Sequence, residues 1–298
     1  MKYTIAQDSR IGGRRINQDR AAWLATDDAV LLLVADGMGG HLHGEVAAQI
    51  AVDTVCACFR DEARTRLADP ARFLGASLQQ AHEAIVHYAA ECRILAHAAP
   101  RTTCIACVVQ DGQAIWAHAG DSRLYLIHGH GRAQGSGAHT RDHSVVQRLV
   151  DAGSLSHADA ASHPLRNRVF NCLGGEARPH IEVSGAALLE DGDLIALCTD
   201  GVWSPLGDRL VSELGRVPLS TTVPELLAAA ERTAGPGADN LTLIAMRWEA
   251  PAALAESDPE PSFCETYIGE APLSDAEIGR AIDEIRRRKP AKAKGTNS

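Results

Sequence analysis

Four aspartates stand at the edges of apolar runs: Asp19 in RRINQD, Asp36 in LLLVADGMGG, Asp200 in LIALCTDGVW and Asp239 in GADNLTLIAM. The run from Val30 to Ala35 has the length and the leucine and β-branched content of a buried strand. The Asp-Gly that follows closes that strand with a turn, which frees the carboxylate to face a cleft. Asp36 and Asp200 share this position. Asp239 instead precedes the apolar stretch Leu241 to Met246, so an antiparallel neighbour would bring it to the same end of a sheet. Carboxylates gathered in one cleft raise one another's pKa and oppose folding unless a cation neutralises them. Oxygen-only ligands suit the hard ions Mg²⁺ and Mn²⁺. One Asp-Gly is an ordinary turn, but four aspartates in strand-edge contexts point to a metal site.

The elements that must position them follow from periodicity. Ala48, Val52, Val55 and Phe59 predict a helix over 45–59, and a stripe from Leu74 to Leu95 predicts a second over 70–97 with Pro70 in its first turn. Strands are expected at 102–109, 113–118 and 123–128, with a turn at Asp111-Gly112 and a Gly-rich hairpin loop through 129–137. A short helix over 144–152 leads into SLSHADAASHPLRNRVFNCLGG, which has no sustained period and reads as a surface flap. Strands at 181–183 and 194–199, a helix over 224–233 and a last strand over 241–248 complete the pattern. Strands and helices do not alternate as βαβ units, which favours antiparallel sheets layered with helices.

The chain has 298 residues and a 45% hydrophobic content, enough for one large domain or two small ones. Its formal net charge of −9 argues against a nucleic-acid-binding surface. There is no apolar stretch of signal-peptide or membrane-span length, so a cytoplasmic protein with no membrane span is expected. Several of the eight cysteines lie inside apolar patterns as small hydrophobes, which favours reduced thiols. Cys104 and Cys107 form a CxxC, but three residues along a strand they point to opposite faces, which speaks against zinc or redox chemistry. From about residue 250 the composition shifts. An Ala-, Pro- and acid-rich linker runs to Pro261, Ser274 and Glu277 form a capping box ahead of a short amphipathic helix, and a basic RRRK end follows. That helix either packs on its own domain or docks a partner.

The ordered motifs carry a resemblance. RxxNQD (Arg14 to Asp19), VADGMGGHxxGE (Val34 to Glu45), AGDSRLYL (Ala119 to Leu126), TRDHS (Thr140 to Ser144), HPLRNRVFNCLGG, LCTDGVW and DN (Asp239, Asn240) come in the order found in metal-dependent phosphatases of the protein phosphatase 2C (PPM) family. The DGMGGH form resembles the bacterial branch, and the match spans about residues 1–249. The resemblance implies an α+β fold, a four-layer α-β-β-α sandwich of two mainly antiparallel sheets flanked by helices, with 250–298 outside the catalytic domain. It also implies a serine/threonine phosphoprotein phosphatase with two or three Mn²⁺ or Mg²⁺ ions, acting on the products of a bacterial serine/threonine kinase. Asp36 resembles the carboxylate that bridges two ions, the Gly37 carbonyl a ligand of one, and Asp200 and Asp239 ligands of the other. Asp19 resembles the acid that holds the cluster through water, Asp121 with Asp200 a third metal site, and Arg14 the phosphate-binding arginine.

The chemistry agrees. A two-metal site brings the pKa of water near neutrality for in-line attack on phosphorus. A planar guanidinium such as that of Arg14 grips two phosphate oxygens. Asn240 is expected to orient Asp239 or a metal-bound water. His41 and His43 are the histidines near the Asp36 turn, and the family pattern makes His41 a loop-stabilising residue. The chain departs from the pattern at Met38, where animal members carry a histidine, and at Arg101, where the family usually has glycine. Two other classes compete: a non-catalytic phosphoprotein-binding pseudophosphatase and a different two-metal hydrolase such as a nuclease. The full aspartate set with Arg14 disfavours the first, and the acidic net charge disfavours the second.

Overall fold

Seven of the eight residues of the strand Ala29–Asp36 are buried, and they divide between two different cores. Leu31, Leu33 and Ala35 pack with two long helices, while Val30, Leu32 and Val34 pack against a second sheet. An uninterrupted apolar run is what a strand covered on both faces requires. The computed structural model describes residues 1–38, 43–129, 137–215, 218–249 and the backbone of 264–268.

The chain begins with β1 (Lys2–Arg10), β2 (Asp19–Ala25) and β3 (Ala29–Asp36), followed by α1 (Gly44–Glu62) and α2 (Pro70–Glu91). Next come β4 (Arg101–Thr102), β5 (Cys104–Gln110), β6 (Gln113–Ala119), β7 (Arg123–Ile127) and β8 (Gly137–His139). The flap and its return contain α3 (Val145–Asp151), α4 (His157–Ala160), β9 (Leu173–Gly174), β10 (Glu182–Val183) and β11 (Ala187–Leu188). The last part is β12 (Leu194–Cys198), α5 (Asp200–Leu206), α6 (Arg209–Leu214), α7 (Leu219–Ala234), β13 (Leu241–Glu249) and β14 (Cys264–Ile268).

One sheet has the order β1-β13-β12-β7-β8, and the other β10-β6-β5-β3-β2-β14 with β11 also on β6. All the pairings are antiparallel. Helices α1 and α2 cover the outer face of the larger sheet, and α5, α6 and α7 cover that of the smaller. Between the sheets lies a third core of residues such as Leu32, Ile105, Leu197 and Met246. The result is the α-β-β-α sandwich that the resemblance implies. Cys104 belongs to the helix-side core and Cys107 to the inter-sheet core, so the CxxC pair does face opposite ways, as free thiols. No helix among the described residues is long and apolar enough to cross a membrane.

Several elements differ from their expected form. The helix expected to reach residue 97 ends at Glu91, where Arg93 takes a left-handed conformation and Leu95, last of the apolar stripe, is exposed. The strand expected over 102–109 breaks at Thr103, because Thr103 leaves both ladders to bond Asp36 through its N–H and its hydroxyl. Helix α7 starts at Leu219 and not at Pro224, which lies inside it despite its missing N–H. β1, α5 and α6 were not expected from local pattern; β1 is defined by nine rungs shared with β13. In the segment after residue 249, β14 pairs with β2. The linker, the capping box at Ser274 and Glu277, the basic end and the Gly-rich loop through 130–136 lie outside the described residues, as does His41.

The flap is fastened by polar side chains. Asp142 accepts two hydrogen bonds of 2.8 Å from Arg123, whose guanidinium lies 3.6 Å over the Trp203 ring and also donates to the Tyr125 hydroxyl. Both members of this ion pair are largely buried. Replacing Asp142 by Ala leaves a desolvated guanidinium without its counter-charge. The expected cost is about 3–5 kcal/mol, or a melting temperature lowered on the order of 10 °C, read by thermal unfolding monitored by circular dichroism.

Candidate metal centre

Asp19 and Asp36 meet first. They are partners on the β2–β3 ladder, Asp19 opening one strand and Asp36 ending the other. The Asp36 carbonyl accepts the Thr103 N–H at 2.9 Å and the Thr102 hydroxyl at 2.9 Å, so the end of β3 is held by the last residue of β4 and by the break between β4 and β5. The next residue must be small: a side chain at Gly37 would collide with the Gly44 carbonyl at the start of α1. The Gly37 N–H donates to the Gln18 carbonyl, which keeps the turn against the strand that starts at Asp19.

The smaller sheet brings the other acids. β12 and β13 run antiparallel, with Thr199 N–H donating to Thr242 O just beyond the last rung. Asp200, leaving β12, and Asp239, entering β13, therefore emerge at one end, as the antiparallel argument requires. A side chain at Gly201 would strike the Asn240 carbonyl, so α5 can start this close to β13 only with glycine there. Asp121 arrives from the β6–β7 turn, where Gly120 has φ 127° and the Trp203 indole N–H donates to the Asp121 carbonyl at 3.0 Å.

Arg14 lies in the connection between β1 and β2, half-exposed, and its Nη2 donates to Asp239 Oδ2 at 2.6 Å. Asn240 acts on the same connection. Its amide donates to the Ile11 and Ile16 carbonyls and accepts from the Gln18 N–H, while its backbone N–H donates to Asp239 Oδ1. The Asn240 side chain thus shapes the loop that carries Arg14, and the contact to Asp239 is made by its main chain.

Asp36, Gly37, Asp121, Asp200, Asp239 and Arg14 line one cavity of about 500 Å³. Asp19 lies behind it, 1% exposed, with Oδ2 accepting from the Thr199 hydroxyl at 2.9 Å. Burial pushes Asp36 well above the usual carboxylate range, and Asp19, Asp200, Asp121 and Asp239 add to the shift. Asp121 is pushed the same way by burial and then by Asp200. Asp19 is raised to about 7, chiefly by burial, and Asp200 to about 6 by burial and then Asp239, against the pull of Arg14. Asp19 Oδ1 is buried and accepts no hydrogen bond. An orphaned carboxylate oxygen behind a cleft of mutually repelling carboxylates fits divalent cations, and an all-oxygen donor set suits Mg²⁺ or Mn²⁺.

Other residues of interest fall elsewhere. Met38 and Arg101 line the cavity. His43 opens α1 with φ 70° and pairs with Glu45 at 3.3 Å, away from the cavity lining. His118, His143 and Glu182 also bring ligand-type atoms within 4.8 Å of one another. There His143 Nδ1 accepts from the Gly120 N–H and from the Asn171 amide, so its Nε2 carries the proton shared with Glu182. That leaves His143 itself no lone pair for a cation, and through Gly120 and Asn171 it braces the Asp121 turn against the flap. Trp203, Arg123 and Asn171 thus support the site; they lie inside the quoted motifs, but only their contacts across the fold reveal what they do.

A model of the protein phosphatase 2C family matches residues 6–235. The protein phosphatase PhpP of Streptococcus pneumoniae is 30% identical over 225 residues, covering 74% of this chain and 87% of PhpP. The serine/threonine phosphatase of S. agalactiae superposes with a TM-score of 0.69 at 28% identity, over 82% of this chain and 99% of that one. The catalytic domain of the serine/threonine protein phosphatase PstP, solved in complex with two manganese ions, superposes with a TM-score of 0.66 at 28% identity, over 82% and 97%. The family match spans most of the chain and the fold superposes on these phosphatases, so the chain belongs to the protein phosphatase 2C family.

Proposed function

We infer that this chain is a metal-dependent serine/threonine phosphatase, a phosphoric monoester hydrolase acting on phosphoproteins. The observation that carries the reading is the cavity in which Asp36, Asp121, Asp200 and Asp239 converge with Arg14 at its edge. In this reading Asp36, the Gly37 carbonyl, Asp200 and Asp239 hold two Mn²⁺ or Mg²⁺ ions. Asp19 holds the cluster from behind through water, and Asp121 with Asp200 forms a third, weaker site. Bound divalent ions supply a hydrolytic nucleophile from water near neutral pH and offset phosphoryl charge.

The chain's own residues do the rest. Arg14 keeps two further guanidinium nitrogens for phosphate oxygens while Nη2 holds Asp239, which orients the dianion over the cleft. Asn240 fixes the loop that aims Arg14, and Thr103 and Thr102 fix Asp36. The catalytic domain is taken as residues 1–249, and the substrates as products of a bacterial serine/threonine kinase. On charge alone, the basic end of 250–298 is where a partner would dock.

Hydrolysis of p-nitrophenyl phosphate and of a phosphothreonine peptide, with EDTA, Mg²⁺ or Mn²⁺, tests the reading. Asp36→Asn and Asp239→Asn are expected to lower kcat at least about a hundredfold, more than loss of an outer partner of a ligand causes. Neither removes core packing, so the metal-free variants should melt no lower than the metal-free parent. Metal binding without turnover in the parent would mark a pseudophosphatase instead.

A second expectation concerns pH. Asp19 and Asp200 are raised from ordinary carboxylate values to about 7 and about 6, so in the metal-free protein they contribute stability below about pH 4 that is lost as pH rises through 6 to 7. Bound cations remove that loss. The Mn²⁺-induced rise in melting temperature over EDTA-treated protein should therefore grow between pH 5.5 and 7.5. A rise that stays constant or shrinks across this range would contradict the carboxylate assignment.

A further inference from the structure

Arg101 lines the same cavity as Asp36, Asp121, Asp200 and Arg14, and it is held there from two sides. Its carbonyl accepts the Met38 N–H at 3.0 Å, which fastens its main chain to the turn that carries Asp36 and Gly37. Across β4 it pairs with Gly174, and a methyl group at Gly175 would lie 2.8 Å from the Arg101 Nε. The side chain therefore runs along bare glycine backbone, between the Asp36 turn and the end of the flap.

In that position its charge is unanswered. The Arg101 Nε–H is buried and donates to no acceptor, and its guanidinium makes no ion pair among the described residues. Two other guanidinium groups nearby are engaged: Arg14 with Asp239, and Arg123 with Asp142. Arg14 also interacts with Asp36 and Asp200, whereas the charge of Arg101 reaches Cys172. Among the described residues Arg101 makes no ion pair with the metal-binding carboxylates, unlike Arg14. Arg168 of the flap lines the cavity as well, which makes this edge cationic in a chain of net charge −9. A desolvated planar donor at a cleft edge is suited to a carboxylate or a phosphate, which it can bind in two-point fashion.

We propose that Arg101 is a substrate-positioning residue that binds an anionic group, a carboxylate or a second phosphate, carried by the phosphoprotein beside the phosphoserine or phosphothreonine at the metal centre. The proposal rests on the phosphatase reading above. Arg14, entering beside Asp239, would orient the phosphoryl group, and Arg101, entering beside Met38, would set which phosphorylated sequences lie across the cleft.

The test is steady-state kinetics of the full chain with Mn²⁺ on three phosphothreonine peptides that differ only in flanking residues: alanine, glutamate or phosphoserine. In Arg101→Gln, the ratio of kcat/KM for an anionic peptide to that for the alanine peptide should fall about tenfold to a hundredfold, through KM. Arg101→Lys should restore part of it. A fall confined to the glutamate peptide names a carboxylate, and one confined to the phosphoserine peptide names a second phosphate. Ratios that stay within about twofold of the parent, including an equal loss on all three peptides, overturn the proposal. A parent protein that hydrolyses none of the peptides overturns the phosphatase reading instead.

Discussion

Asp19 and Asp36 face each other on the β2–β3 ladder, and their repulsion in a desolvated setting is the constraint to which the surrounding structure answers. Neither can move away, because each belongs to a strand covered on both faces. Asp200, Asp239 and Asp121 approach from the second sheet and from the β6–β7 turn, and add to the same field. A rigid frame that holds like charges together has already met the cost of gathering them before any ion arrives. A divalent cation then finds its ligands preorganised, which is the energetic content of metal dependence in a protein phosphatase 2C.

That rigidity needs very close backbone approaches. Gly37 lies against Gly44 where α1 begins, Gly12 against Asp239, and Gly201 against Asn240, and at each a side chain would collide with a carbonyl oxygen. These contacts draw the Arg14 connection, the Asp36 turn and the start of α5 around one point. Asn240 then ties the connection down with three hydrogen bonds, at Ile11, Ile16 and Gln18. The helices lie outside and supply most of the apolar cover, and the carboxylates gather at the strand ends.

The flap adds a second charge pattern. Arg123 is committed to Asp142 and stacked on Trp203, so it joins the base of the flap to α5. His143, Asn171 and the His180 main chain join the far end of the flap to the Gly120 turn. What remains around the cavity is an acidic floor with arginines at its edge, suited to a substrate that is itself an anion.

Much of the fold and the core of the site could be read from the chain alone. Asp36 and Asp200 at the ends of apolar runs, and Asp239 just ahead of one, announced a shared cleft. Periodicity separated the helices from the strands and put Cys104 and Cys107 on opposite faces. Helix ends were less legible, because the apolar stripe outlasts α2 at Leu95 and Pro224 lies inside α7. β1 was silent until paired, since its half-buried residues carry no strong apolar signal of their own. The roles of Asn240, Trp203, Arg123 and Thr103, and the unanswered charge of Arg101, rest on contacts between residues far apart in the chain. Local sequence determines which residues must be buried and which turns can form; only the packed sheets decide which distant side chain meets a given carboxylate, because that partner is chosen by strand register and not by spacing along the chain.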